Sequence, residues 1–563
     1  MHTVLDWIDH AADDRGIHFS DSGTGWSFVS HSTLAGEAHR VASLLHTHGP
    51  QPGDVVSLLV NEVRDFAPAF LGTMLAGLTP APIASPLTFQ GNDRYTEHVT
   101  DILKVAEPAL ILSDASLAEI AEKTSAQLDG GSVVLLEESA GLSADDSARR
   151  TPAELGLLQF TSGSSGSPKG VRVSRDNLAA NVRSIHEWLG TTAADSCSSW
   201  LPLYHDMGLI GTFLGSLTAR IDLWLMSPLD FVRNPLRWLE AHGRHGATMT
   251  TAPNFGYGYT AKRVRPQDLE GMDFSHWRVA MNGAERIDPR AAAAFAALLA
   301  PHGFRTTAFA PCYGLAEATL AVSGVRPGSG ARTVRLKGGL HTGRPVVPTD
   351  RGQLGTVHPD GGANWLTSCG PAVPGAGVDI VDEDGAALPE GHFGEIRVRG
   401  TSVAGGYRSC VPDASSNFTG DGLRTGDAGF LLEGELFVVG RVGDSIKVRG
   451  RKVHAEDLET ALTAVDGIPS GRCAVALGTT GEAHHVVAVV ETGDSGWLDG
   501  ALAVIRAATD DTVRVTVVRA ARGGIPRTSS GKPRRRLLWH RFQDGAALGE
   551  VVHGTAPAAP VTG

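Results

Sequence analysis

The residues best suited to chemistry lie in one stretch, Leu157 to Ser174, which reads LLQFTSGSSGSPKGVRVS. An apolar run leads into a segment rich in small hydroxyls that also holds Gly163, Gly166, Gly170 and Lys169. Glycine lets backbone N–H groups approach phosphate oxygens closely, hydroxyls add donors, and lysine adds charge. The chemistry suggested is phosphate binding. A Walker A loop needs GxxxxGK followed by Ser or Thr, but Lys169 is preceded by Pro168 and followed by Gly170. That argues against a P-loop kinase or ATPase. A flexible Gly/Ser linker has the same composition, yet it would not be bracketed by apolar, strand-like runs. Two other segments are set aside. Gly493–Asp494–Ser495–Gly496 has the makeup of a serine-hydrolase loop broken by Trp497, and His484–His485 has no spaced Cys, Asp or His partners for a metal.

The elements that must position this loop can be read around it. The first 130 or so residues alternate helix-like and short apolar segments, such as LAGEAHRVASLLHTHG, DVVSLLV and FAPAFLGTMLAGLTPAPI, which predicts a sheet with helices on its faces. Phe66 to Leu87 is uncharged but carries Pro68, Pro80 and Pro82, so it reads as a buried helix-to-strand passage and not a membrane span. Glu137 to Ala153 reads as a surface loop. Asp288 as cap, Pro289 in the first turn, and Pro301 with Gly303 at the end predict a helix over Asp288 to Ala300. From Val378 the runs VDIV, EIRVRG and ELFVVG predict a small antiparallel sheet. Beyond Arg441 a helix at AEDLETALTAV and strands at CAVAL, HHVVAVVE and TVRVTVVR, with a helix at ALAVIRAA, predict a separate α+β unit. The expected fold is therefore α/β: a large N-terminal α/β domain over 1–440 with a small antiparallel subdomain, a small C-terminal α+β domain over 441–545, and a flexible tail over 546–563.

Composition narrows the class. The 563 residues are 42% hydrophobic and 20% charged, within the ordinary globular range. Lys+Arg 49 against Asp+Glu 61 gives a net charge of −12, which leaves no overall basic field for nucleic acid. Five cysteines (Cys197, Cys312, Cys369, Cys410, Cys473) are odd in number and never form CxxC, so a reducing, cytoplasmic setting is expected. The start, MHTVLDWIDHAADD, has no basic region leading into an apolar run, so no signal peptide and no integral membrane association are expected.

The phosphate segment resembles the signature of adenylate-forming enzymes: acyl-CoA synthetases, luciferases and nonribosomal adenylation domains. Further motifs follow in that family's order: SWLPLYHDMGLIG (Ser199–Gly211), NGAE (Asn282–Glu285), FAPCYGLAEATL (Phe309–Leu320), LRTGDAG (Leu423–Gly429), GRVGDSIKVRGRKVHAEDLE (Gly440–Glu459) and IPRTSSGK (Ile525–Lys532). SWLPLYHDMGLIG and YGLAEATLAVSG are most similar to fatty acyl-AMP ligases. Val325 to Asn364 stands where that branch carries an insertion thought to hinder the movement needed for CoA thioesterification.

The resemblance implies carboxylate plus ATP and Mg²⁺ giving acyl-AMP and pyrophosphate, then transfer to the phosphopantetheine thiol of an acyl carrier protein. By the same token Thr161, Ser162, Gly163, Ser164, Ser165 and Gly166, with Lys169, would hold the β- and γ-phosphates. Glu317 would bind Mg²⁺. Tyr313, with Gly314 beside it, would stack on adenine, whose other side the Gly283–Ala284–Glu285 backbone would line. Asp427 would take both ribose hydroxyls, with Arg441 nearby. Lys532 would reach the α-phosphate and the attacking carboxylate. His205 is given a gating or substrate-side role, against a plain core histidine.

At the hinge the chain departs from its relatives, with Gly443 and then Asp444 where Asp or Lys usually stands two residues after the arginine. Lys447 is a candidate for the second half-reaction. Trp224, Met226, Phe231 and Phe255 are apolar candidates for pocket walls or ordinary core, and Arg534–Arg535–Arg536 reads as a solvated face before a carrier-docking patch. An acyl-CoA synthetase is the alternative, and a catalytically inactive adenylate-binding protein a remoter one.

Overall fold

The computed structural model of the chain describes residues 4–21, 25–86, 92–128, 131–144, 146–162, 168–337, 340–357, 365–409, 417–448, 451–469, 471–480, 483–494, 496–509, 512–528 and 531–554. Its centre is an eight-stranded sheet. In spatial order the strands are Ala321–Gly324, Phe309–Gly314, Val279–Asn282, Met249–Ala252, Ser196–Ser199, Asp222–Leu225, Gly16–Ser20 and Trp26–Ser30. The six inner strands are parallel and the two edge strands antiparallel. A second sheet of four parallel strands includes Val55–Leu59, Leu110–Ser113 and Thr79–Pro82, with the helix Val63–Leu75 joining the first to the last. That helix and the strand Thr79–Pro82 are buried, as the proline-bearing passage predicts.

Local sequence explains why the phosphate segment is a hairpin set on a helix. Leu155–Ser162 pairs antiparallel with Pro168–Ser174, with Thr161 opposite Lys169. Ser174 then caps the helix Arg175–Leu189: its hydroxyl accepts from Asn177 N–H, and the Asn177 side chain accepts from Ser174 N–H, both at 3.0 Å. The predicted helix at Pro289–Leu299 is capped by Asp288 through the N–H of Arg290. Ala376–Val381, Gly394–Gly400, Gly422–Leu432 and Glu435–Arg441 form the expected antiparallel sheet.

The smaller C-terminal unit has its own core around Leu458, Leu462, Val475, Val486, Trp497 and Ile505. Cys473–Thr480, Ala483–Glu491 and Arg514–Ala520 are its strands, and Ala455–Leu462 and Leu498–Ala508 its helices. One expectation changes here. Within the segment expected to be a flexible tail, Glu550–His553 is a strand, antiparallel to Arg514–Ala520. The valines at 551 and 552 suit a strand, and they pair an edge that would otherwise expose its N–H and C=O groups. His485 is buried against Trp539 and Phe542, a packing role.

The lower edge of the large sheet is tied by one buried carboxylate. Asp195, Thr248 and Arg278 each precede a neighbouring parallel strand by one residue. Asp195 accepts from Arg278 at 2.6 and 2.8 Å, from the Thr248 hydroxyl at 2.8 Å and from Thr192 N–H at 2.9 Å. Burial works against ionisation, but these donors override it and bring the carboxyl down to about 2 from 3.8. A lowered value means the stabilisation is complete above the ordinary carboxyl range and is lost as pH falls through about 2. Asp195→Asn should therefore cost about 2 kcal/mol at neutral pH, with the gap in melting temperature from the parent narrowing below pH ~4. Calorimetry across that pH range checks it, and a gap independent of pH would contradict it.

Candidate active site

The opposite edge of the same sheet, where the parallel strands end, gathers most of the residues singled out in the sequence. Open α/β sheets leave a crevice outside their strands' carboxyl ends. Val279–Asn282 runs out into Gly283, Ala284 and Glu285, and Phe309–Gly314 into the turn that carries Glu317. Ala284 and Thr319 hold φ of +71° and +68°, a backbone region that costs non-glycine residues free energy and often marks functional turns. Each turn is braced. The Asn254 side chain donates to Arg286 C=O at 2.7 Å and accepts from Asn282 and from Asp288 N–H. The Thr319 hydroxyl donates to Ser402 C=O at 2.6 Å.

Asp427 is the centre of one cluster. Its Oδ2 accepts from the Tyr313 hydroxyl at 2.7 Å, and its Oδ1 pairs with Arg441 Nε at 2.8 Å. Arg441 also donates to Thr425 C=O at 3.1 Å. The Asp427 carboxylate holds the guanidinium further above its ordinary value, against the opposing effect of crowding. Burial, followed by Asp427, keeps the Tyr313 phenol protonated, so it stays a donor.

A second cluster joins the phosphate hairpin to Glu317 through Tyr407, a residue the sequence reading did not select. The Tyr407 hydroxyl donates to Glu317 Oε1 at 2.6 Å, and Lys169 Nζ lies 4.9 Å from the centroid of its ring. Thr161 is in the hairpin across from Lys169. The Ser162 side chain and Gly163, Ser164, Ser165 and Gly166 lie outside the described residues, as does the Lys447 side chain.

Lys532 comes from the C-terminal unit, and its charge acts on both Glu285 and Asp206. Glu285 is open to solvent but crowded by the cleft walls. That crowding raises its carboxyl, while Lys532 and the N–H groups of Asn254 and Phe255 pull it down. Burial likewise raises Asp206, opposed by Met207 N–H and Lys532. Asp206 heads a π-helix over Met207–Leu214, a rare element frequently found at functional sites. Its neighbour His205 packs its ring 5.2 Å from Tyr204, whose carbonyl accepts from Gln159 on the phosphate hairpin. Asp206 lies inside a motif singled out for its histidine, and Tyr407 follows a glycine pair; those were the available signals.

Other candidates divide. Phe231 and Met226 are buried core, and Trp224, on the inner strand Asp222–Leu225, stacks between His18 and His245. Phe255 is 49% exposed. Arg535 is no solvated residue: it pairs with Asp444 at 3.0 Å, Glu456 at 2.6 Å and Glu459 at 2.7 Å.

The family model for AMP-binding enzymes matches residues 7–408, and the chain belongs to this family. Three curated relatives are similar along most of the chain. A putative acyl-CoA synthetase of Caulobacter vibrioides is 35% identical over 94% of this chain and 93% of its own. The long-chain-fatty-acid–AMP ligase FadD26 of Mycobacterium tuberculosis is 32% identical over 96% and 94%. The medium-chain-fatty-acid–[acyl-carrier-protein] ligase JamA of Moorena producens is 33% identical over 87% and 85%. A solved structure from work on fatty acyl-adenylate ligases of E. coli and L. pneumophila superposes with a TM-score of 0.84 at 29% identity, over 96% of this chain and 98% of that one.

Gly314 is the tightest point of the site. A Cβ there would stand 1.9 Å from the Leu320 carbonyl oxygen, which accepts from Leu315 N–H. Gly314→Ala must displace the turn that carries Glu317. ATP affinity measured calorimetrically should fall at least about tenfold, with the melting temperature lowered by a few degrees at most if the strain stays in that turn. Wild-type affinity in this variant would mean that the turn does not set the nucleotide site.

Proposed function

We propose that this ligase activates a fatty acid as acyl-AMP, releases pyrophosphate, and passes the acyl group to the phosphopantetheine thiol of an acyl carrier protein. The observations that support the first step are the charge of Lys532 acting on Glu285 and Asp206, the Asp427–Arg441 pair, and the contacts of Tyr407 with Glu317 and Lys169. A fatty acid is ionised at neutral pH, so no general base is needed. The obstacle is the approach of one anion to another, and three cationic side chains around the cleft answer it.

In this reading a carboxylate oxygen attacks the α-phosphorus, the bond to the bridging β-oxygen breaks, and pyrophosphate leaves. Lys532 stabilises charge on the α-phosphate and the incoming carboxylate. Thr161 through Lys169 hold the departing phosphates. Asp427 receives the ribose hydroxyls: each carboxylate oxygen accepts more than one hydrogen bond, so its bonds to Tyr313 and Arg441 leave acceptor capacity. Tyr313 and the Gly283–Ala284–Glu285 backbone flank adenine, and His205 lies on the acyl side. The residues suit Mg²⁺ brought in by ATP: among the described residues no group of three or more His, Cys, Asp or Glu forms a metal cage, and Mg²⁺ on a nucleotide needs one or two carboxylates beside phosphate oxygens and water. Glu317 would supply that carboxylate, and the ion would neutralise charge on the phosphates.

For the second step the thiolate attacks the acyl carbon and AMP leaves. Carrier transfer is favoured over CoA by what JamA is named for and by the 325–364 segment. There the strands Arg332–Leu336 and Pro348–Gln353 are fastened to the subdomain by Arg332 to Glu433 and Glu435 and by Arg351 to Glu433. That bulk stands on the sheet that ends in Arg441, where we place the start of a mobile C-terminal domain. No helix among the described residues is long and apolar enough to cross a membrane, and the described cysteines are free, which fits the cytoplasm.

Mass spectrometry of the products formed from ATP, Mg²⁺, mixed-length fatty acids, excess CoA and a holo carrier protein tests the proposal. Acyl-AMP and acyl-carrier without acyl-CoA is expected, whereas abundant acyl-CoA would favour the synthetase alternative. Lys532→Ala should lower adenylation at least about a hundredfold while ATP affinity changes less than about threefold. Normal adenylation by that variant would remove the lysine from the mechanism.

A further inference from the structure

The Tyr407 hydroxyl and ring touch two side chains that belong to different parts of the nucleotide site. We propose that Tyr407 is a positioning residue for adenylation, aiming the Glu317 carboxylate at the metal and holding Lys169 over the departing phosphates. The inference rests on the assignment of Mg²⁺·ATP to Glu317 made above.

The backbone already joins the two parts. In the segment 402–408, Ser402 C=O accepts from Thr319 in the Glu317 turn, and Ala404 N–H donates to Glu317 C=O at 2.9 Å. One residue on, Gly405 N–H donates to Arg172 C=O at 3.0 Å and Arg172 N–H donates to Gly406 C=O at 2.9 Å. Tyr407 and Arg408 then pair antiparallel with Val171 and Gly170, next to Lys169. One segment thus binds the metal-side turn with its first half and the phosphate strand with its second.

Tyr407 extends that junction to the side chains. Its 2.6 Å bond to Glu317 is charge-assisted and directional, and it engages Oε1 alone. Oε2 stays available for a cation. The ring face attracts the Lys169 ammonium without using its N–H donors, which stay available to phosphate. Phe418 packs edge-on at 5.2 Å and fixes the ring.

Tyr407→Phe keeps the ring and removes the hydroxyl; Tyr407→Leu removes both contacts. Partners of metal ligands typically contribute 10- to 100-fold in metal affinity, so Mn²⁺ bound in the presence of ATP, counted by electron paramagnetic resonance, should weaken about tenfold in Tyr407→Phe. The Mg²⁺ concentration giving half-maximal adenylation should rise by a similar factor, while the rate at saturating Mg²⁺ returns to within about threefold of wild type. Tyr407→Leu should in addition raise KM for ATP, which Tyr407→Phe should not. Glu317→Gln is the control. Weakened Mn²⁺ binding in Glu317→Gln with unchanged binding in Tyr407→Phe would overturn the role of Tyr407 alone. Unchanged binding in both would overturn the metal assignment beneath it. A rate loss in Tyr407→Phe that excess Mg²⁺ does not recover, with normal Mn²⁺ binding, would also overturn the inference, because a merely structural role predicts that pattern.

Discussion

Parallel strands all finish on the same side, and that constraint organises the molecule. Hydrogen bonding satisfies the strands along their length, but the chain must turn away at each carboxyl end, and the turns from neighbouring strands crowd one crevice. Here those turns carry Gly283 to Glu285, Tyr313 to Glu317, and the approach to His205 and Asp206. The opposite edge does different work. Asp195 collects Arg278, Thr248 and Thr192 into one buried knot that fixes the starts of three adjacent strands. Stability gathers at the strand starts and strained, reactive geometry at the strand ends. The positive-φ turns at Ala284 and Thr319 persist with the bracing of the Asn254 and Thr319 side chains.

The antiparallel subdomain matters to the site mainly through Asp427. Its carboxylate holds Tyr313 of the large sheet and Arg441 at the end of the last subdomain strand. Two residues further on, Gly443 opens the hinge turn. A Cβ there would meet only the end of the Arg536 side chain at 2.8 Å, which can move aside. The glycine is therefore not demanded by packing, and its value is the torsional freedom it gives the turn. Asp444, by contrast, is fastened to the C-terminal unit through Arg535, which also gathers Glu456 and Glu459. Burial holds the Glu456 carboxyl up at about 7, with Arg535 pulling it down. The turn is thus loose at its glycine and tight one residue later.

What could be read from the sequence follows the range of each interaction. Periodicity and capping are local, so the helix after Asp288, the strands VDIV, EIRVRG and ELFVVG, and the helix at 455 were legible from a few residues each. The strands on either side of the Gly/Ser segment were legible because the apolar runs that form them bracket it in sequence. Tyr407 was not, since its meaning depends on Glu317, ninety positions away, and Lys169, farther still. Arg535 was misjudged for the same reason. Three arginines in a row read as a solvated face, and only the fold brings Asp444, Glu456 and Glu459 to the middle one. The strand at Glu550–His553 was hidden in a tail of weak composition, because what makes it a strand is the open edge of Arg514–Ala520.

Lys532 is placed by a unit that holds the rest of the protein lightly. Across the seam, Arg286 pairs with Asp457, Arg290 reaches Thr463 at 3.4 Å, and Phe393 meets His454 edge-on at 6.1 Å. Asp457 is 45% exposed, and ion pairs in such settings contribute about 0–1 kcal/mol. Each unit keeps its own buried core, so parting them would leave both cores intact. A polar seam of this kind re-forms its hydrogen bonds with water when it opens, at little net cost. Under the proposed function, a lysine held so can be delivered for adenylation and withdrawn afterwards with a small change in free energy. A lysine rooted in the larger domain could not, and Lys169, on the hairpin strand Pro168–Ser174, is such a lysine.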